Sequence, residues 1–274
     1  MANALSERDC LISCGDLHEL IESGESSLKI IAVMPRWRHW LQRIPNSQVV
    51  QRSDLRDPVS QRLISPLKFQ HWARRIGIDP DSRVVIVDEQ YDATWLWWAF
   101  RRYGKSNVQV LDGGLKAWIT QHLPLKYGPL RPVPMLMPGR FTAAIGADFP
   151  VADLAMVLAS QHDSSMHLWD TRELHEWDGR ICVRGAVRAG RIAWANHLHW
   201  NLFRHDGRFL STFRTDSCID RLVAERSISI NKIHIFYCQS GVRTTTAIFS
   251  LYRRGWDPAK LFNYEGSWRE WSAL

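Results

Sequence analysis

An apolar run, Ile233-His234-Ile235-Phe236-Tyr237, delivers Cys238 onto the short loop Gln239-Ser240-Gly241-Val242-Arg243, and a helical pattern follows at once over Thr244 to Arg254, closed by Gly255. A short β-branched and aromatic run predicts a buried parallel strand, and the glycine stop predicts a helix end. Cys238 is therefore expected at a strand end facing a helix N-terminus. There, unsatisfied backbone N–H groups and the positive end of the helix dipole favour the thiolate, and Arg243 adds a full positive charge. Successive N–H groups at a helix start also form a bowl for an anion. Position alone leaves a second reading open, in which Cys238 is a buried structural thiol. Gly241, which allows a tight backbone arc, and Ser240, which brings a hydroxyl, favour the reactive one.

The run Tyr237-Cys238-Gln239-Ser240-Gly241-Val242-Arg243-Thr244, with Tyr264-Glu265-Gly266-Ser267-Trp268-Arg269-Glu270-Trp271 behind it, resembles the active-site loop and closing signature of the rhodaneses, the thiosulfate and mercaptopyruvate sulfurtransferases. The resemblance implies that Cys238 carries a transferable sulfur as a persulfide, by double displacement from a small anionic donor to a thiol or cyanide. It implies a substrate cradle of Gln239, Ser240, Gly241, Val242, Arg243 and Thr244, a contact from Arg172 of the Asp-x-Arg motif, and no metal or organic cofactor. Cys-based phosphatases also set a Cys and an Arg on a strand-to-helix loop. Theirs is longer by one residue, whereas only Gln239 to Val242 separate the two here, which suits a terminal sulfur better than a phosphate.

Several positions depart from the pattern of the two subfamilies. Ser240 matches the serine of mercaptopyruvate-type loops, yet Arg43 and Met34 stand where those enzymes have a His and an Asp in the first domain. Glu176 stands where a substrate-gripping arginine is expected, and Arg243 where both subfamilies have threonine. The resemblance thus implies that Arg243 takes over anion binding, with thiosulfate ahead of 3-mercaptopyruvate as donor. The alternative of another class is a persulfide carrier or binding module that works with a protein partner and turns over weakly alone.

An internal repeat sets the organisation. Val84-Val85-Ile86-Val87-Asp88 and Asp112-Gly113-Gly114-Leu115-Lys116-Ala117-Trp118 parallel Ile233 to Cys238 and Glu265 to Trp271, with an offset of 150 residues at Asp88/Cys238 and 153 at Asp112/Glu265. Asp88 replaces the nucleophile in the first copy, which is therefore expected to be catalytically silent. Strand-like runs alternate with helical ones, such as Leu67 to Ile76 before Val84 to Val87 and Phe149 to Ala159 before His167 to Trp169, an α/β pattern. Two tandem rhodanese-like domains are expected, each a parallel β-sheet flanked by helices: a non-catalytic domain over 1–125, a proline-rich linker over 126–140 and a catalytic domain over 141–274.

The net charge of +7 is spread as pairs such as Arg74-Arg75 and Arg253-Arg254 with no RNA-binding signature, so a field that attracts small anions is expected rather than a nucleic-acid partner. The five cysteines show no CxxC pair and no apolar run approaches 18 residues, so no disulfide framework, zinc site or membrane span is expected, and a cytoplasmic location is. His197 and His199 lack a third ligand at metal spacing. Trp95, Trp97 and Trp98, three of the 14 tryptophans, are expected to pack against the sheet or the partner domain.

Overall fold

A computed structural model describes residues 9–128, 137–146, 148–206 and 211–274. The described residues divide into two compact units: 9–56, 63–128, 137–146 and 211–212 in the first, and 57–62, 148–206 and 213–274 in the second. The expected linker over 126–140 falls partly, at 129–136, outside the described residues.

The first unit runs β1 (Leu11–Ile12), α1 (Cys14–Glu22), β2 (Leu28–Val33), α2 (Arg36–Leu41), β3 (Gln48–Val50), α3 (Pro66–Arg75), β4 (Arg83–Val87), α4 (Asp92–Arg102), β5 (Val108–Leu111) and α5 (Gly114–Thr120). Its strands form one sheet in the order β1-β5-β4-β2-β3, parallel at each pairing. Parallel strands need crossover connections, and helices supply them. β4 is hydrogen-bonded on both sides, and Val84, Val85, Ile86 and Val87 are fully buried, as expected of a β-branched run between two helical layers. One side of this core joins Ile30, Val85, Leu111 and Trp118. On α4, Trp95, Trp97 and Trp98 have no exposed surface. Residues 137–146 lie with this unit, where Phe141 meets Phe69 and Phe100 edge-on at 6.5 and 6.3 Å.

The second unit runs α6 (Leu154–Ala159), β6 (Met166–Asp170), α7 (Leu174–Trp177), β7 (Asn196–His197), β8 (Arg204–Asp206), the last residue of β9 (Ser211–Phe213), α8 (Asp216–Glu225), β10 (Ile233–Tyr237), α9 (Thr244–Arg253), β11 (Leu261–Asn263) and α10 (Ser267–Trp271). Its main sheet is parallel in the order β11-β10-β6-β7, with Val151 bridged to Asn263 beyond β11. Each unit thus repeats one strand order, with β10 in the place of β4. β10 is paired on both sides, and His234 to Tyr237 are buried. His234 is the polar member of this strand, and it is satisfied: its Nδ1 accepts from Trp169 Nε1 at 2.9 Å and its Nε2 lies 2.9 Å from the Ser229 carbonyl.

Candidate functional site

β10 ends at Tyr237, and Cys238 begins the turn into α9. The cysteine is 1 % exposed. α9 starts with no side-chain cap, since Arg243 at its N-cap position makes no capping hydrogen bond; the N–H groups of Thr245 and Thr246 bond the Val242 and Arg243 carbonyls at 3.1 and 3.2 Å, and that of Thr244 is left for another acceptor. That acceptor is the sulfur. Burial resists ionisation of the Cys238 thiol, but the Arg243 guanidinium and hydrogen bonds from the backbone N–H groups of Ser240, Thr244 and Val242 outweigh it and hold the thiol below its ordinary range.

The rest of the unit clamps the loop. Asn263, the last residue of β11, donates from Nδ2 to the Gly241 carbonyl at 3.0 Å and accepts from Thr244 Oγ1 at 2.9 Å. Gly241 has φ +72°, and a Cβ there would lie 2.8 Å from Glu265 Cα, so both backbone conformation and space require glycine. Ser267 accepts from the Cys238 N–H at 3.1 Å while donating to the Tyr264 carbonyl at 2.6 Å, and it holds φ +53° to do so. The N–H groups of Trp268 and Arg269 bind the Cys238 and Gln239 carbonyls at 2.9 and 3.1 Å. Of the loop's side chains, Gln239 reaches the Arg184 carbonyl at 3.4 Å, while Val242 is buried.

Arg243 forms a bidentate pair with Glu176, its NH1 2.5 Å from Oε2 and its NH2 2.8 Å from Oε1. Glu176 is 3 % exposed. Burial resists its charge, but the Arg243 hydrogen bonds and charge prevail and hold the carboxyl below its usual range. The arginine that reaches the sulfur by its field is therefore anchored by the residue standing where a second arginine is expected. Arg172 is 1 % exposed; its Nε and NH2 grip Asp170, NH2 also donates to the Gly190 carbonyl at 2.8 Å, and the guanidinium lies 4.6 Å over the Trp268 ring. Arg191 is exposed and stacks 4.7 Å over Trp177. His197 and His199 also have protein partners: Nε2 of His197 lies 2.8 Å from the Arg172 carbonyl and Nε2 of His199 lies 2.8 Å from Glu173 Oε2.

The same geometry recurs in the first unit with a different occupant. Asp88 accepts from the Ala93 N–H through Oδ2 at 2.7 Å, so its carboxylate sits at the start of α4. Its carbonyl accepts from the Leu115 N–H at 2.9 Å, as that of Cys238 does from Trp268. Gly114, with φ +58°, leaves no room for a side chain, since a Cβ would lie 2.2 Å from the Asp88 carbonyl oxygen. The first bowl is filled by the Asp88 side chain itself.

A family model described as Rhodanese-like domain matches residues 13–121 and 153–274. The chain is a two-domain member of the rhodanese family. It is 28% identical over 224 residues to the 3-mercaptopyruvate sulfurtransferase of Escherichia coli K12, covering 81% of this chain and 76% of the relative. Similarity to the sulfur carrier protein TtuD of Thermus thermophilus is 28% over 245 residues, covering 84% and 82%. The crystal structure of SseA, a 3-mercaptopyruvate sulfurtransferase of Escherichia coli, superposes with a TM-score of 0.79 at 24% identity, over 94% of this chain and 98% of that one. Sulfur transfer is the activity class of these relatives, and two rhodanese-like copies account for the repeated strand order. Within this rhodanese site, Asn263, the hydrogen bond from the Cys238 N–H to Ser267 and the pairing of Glu176 with Arg243 are what sequence reasoning missed. Ser267 had a signal, because the repeat aligns it with Gly114 at the same left-handed position.

Proposed function

We propose that the chain is a sulfurtransferase in which the Cys238 thiolate attacks the sulfane sulfur of thiosulfate. The S–S bond of the donor breaks, its electron pair leaves with sulfite, and Cys238 becomes a persulfide. An acceptor thiolate or cyanide then takes the outer sulfur and returns Cys238 as thiolate. The observation that carries this reading is the buried Cys238 sulfur held below its ordinary pKa by Arg243 and three backbone N–H groups. The same N–H groups would stabilise the outer sulfur of the persulfide. Thiosulfate stands ahead of 3-mercaptopyruvate because sulfite departs without needing a proton, and Arg43 and Met34 replace the His and Asp expected to supply one.

A second reading, a persulfide carrier with weak turnover alone, is favoured by one observation: Glu176 and Asp170 neutralise Arg243 and Arg172, the two cations expected to grip an anionic donor. Mass spectrometry separates the readings. Incubation with thiosulfate should add one sulfur to the protein, cyanide should remove it, and Cys238→Ser should take up none while keeping its fold. A sulfur that cyanide leaves in place favours the carrier, and loading of Cys238→Ser would sink both readings.

A further inference from the structure

The charges around the mouth of the Cys238 bowl do not balance. From Gly179 to His205 the chain contains no Asp or Glu, while Arg180, Arg184, Arg188 and Arg191 fall in it at near-regular spacing. The carboxylates nearby are engaged: Asp170 with Arg172, Glu173 with His199, Glu176 with Arg243, Asp178 with Arg180 and Glu270 with Arg62. Among the described residues, Arg184, Arg188, Arg191 and Arg269 form no ion pair, and all four are exposed. Two of them, Arg184 and Arg269, are tied to the catalytic loop. Gln239 donates to the Arg184 carbonyl at 3.4 Å, the Arg269 N–H donates to the Gln239 carbonyl at 3.1 Å, and Gly185 packs against the Arg269 side chain.

Two of the heads are also held in place. Arg188 lies 5.2 Å over the Trp268 ring, on which the buried Arg172 packs as well, and Arg191 lies 4.7 Å over Trp177. A guanidinium stacked on a tryptophan keeps its charge available while losing rotamer freedom. The result is a pre-set cationic collar outside a bowl whose cysteine is 1 % exposed. A small donor is met by the N–H groups inside the bowl, whereas cations on the outer surface suit something larger than the bowl.

We propose that this collar docks an acidic protein that presents a thiol on a slender chain end and receives the sulfur. The proposal rests on Cys238 persulfide chemistry. In that step the acceptor thiolate attacks the outer sulfur, the bond to the Cys238 sulfur breaks, and Cys238 leaves as thiolate, with no net oxidation or reduction. The test uses two labelled peptides of equal length, one glutamate-rich and one serine-rich, each ending in Gly-Gly-Cys, with the full chain. Anisotropy measures binding to Cys238→Ser, which needs no chemistry. Mass spectrometry measures sulfur transfer from the loaded wild-type protein.

At low salt the acidic peptide should bind and accept sulfur at least 10-fold better than the neutral one, and the advantage should collapse as salt rises. The triple variant Arg184→Gln, Arg188→Gln, Arg191→Gln removes three charges and leaves a polar side chain at each exposed position. It should lose the acidic preference while loading from thiosulfate as the wild type does. Equal binding of both peptides overturns the proposal whether or not Cys238 loads, and the wild-type salt titration decides the matter if the triple variant misfolds. Loading that falls in parallel with transfer would assign the collar to the donor, and preferential competition by a single-stranded oligonucleotide would assign it to nucleic acid. Failure of Cys238 to load at all would instead remove the underlying sulfur-transfer reading.

Discussion

The pair Arg243–Glu176 does two things that mutation can separate. Removing Arg243 alone strands a carboxylate that is 3 % exposed, and breaking a buried pair in this way costs about 3–5 kcal/mol. It also removes the charge nearest the sulfur. Arg243→Ala should therefore unfold at lower urea, alkylate with iodoacetamide only at higher pH, and lose roughly 10²-fold in kcat/KM for thiosulfate. Arg243→Ala combined with Glu176→Leu should regain most of the stability and none of the low alkylation pH. An alkylation pH that returns to wild type in the double variant would show that Arg243 does not hold the thiolate. This pairing could not be read from the sequence, because it joins residues 67 positions apart and depends on how the turn after β6 folds over α9. The cysteine, loop and helix start, in contrast, are neighbours in the chain, so local patterning carried them.

At the scale of the element, β10 combines a reactive end with an unusual interior. His234 and His39 are both fully buried, and burial, more than the nearby cations, pulls each down to about 4 from the ordinary 6.5. Between those values the unfolded chain binds protons that the folded one refuses, so stability rises with pH there and falls on acidification. The slope is about 1.4 kcal/mol per pH unit for each histidine. The urea midpoint should drop steeply from pH 6.5 to 4.5, and His234→Gln should remove about half of that slope; an unchanged slope would mean that His234 is protonated when folded. Glu176, with its carboxyl held low, adds its own loss as pH falls further into the carboxylate range. The strand itself was legible as an apolar run and α9 as a helix from Thr244. α6 was not: the helical stretch expected from Phe149 begins only at Leu154, because Asp153 caps it by accepting from the Met156 N–H at 2.8 Å, and Phe149 stands in the left-handed region with φ +53°.

At the scale of the whole chain, duplication explains why one bowl holds a thiol and the other a carboxyl group. The repeat was legible because the glycines and acids of the tight turns recur at nearly constant offset. What Asp88 does was not, since alignment only says that it lacks a thiol. In the structure it caps α4, a helix with nine buried residues, so its removal should act on stability. Asp88→Ala should cost about 1–2 kcal/mol, seen as a lower melting temperature, with sulfur loading of Cys238 unchanged at a temperature where the variant is folded. Loss of loading in a folded variant would give the first unit a chemical role.

The clamp on the catalytic loop has a consequence for which molecules can touch the sulfur at all. Ser267, Trp268 and Arg269 pin the loop through its own N–H and carbonyl groups, and Gly241 is pressed against Glu265, so the mouth of the bowl has little freedom to widen. Such a mouth sorts reagents by girth. Iodoacetamide should reach Cys238 readily, whereas an aromatic disulfide of similar intrinsic reactivity should lag far behind, although it modifies the exposed Cys182 without delay. The same sorting would shield a stored sulfur from bulky thiols in solution and leave it to an acceptor narrow enough to enter.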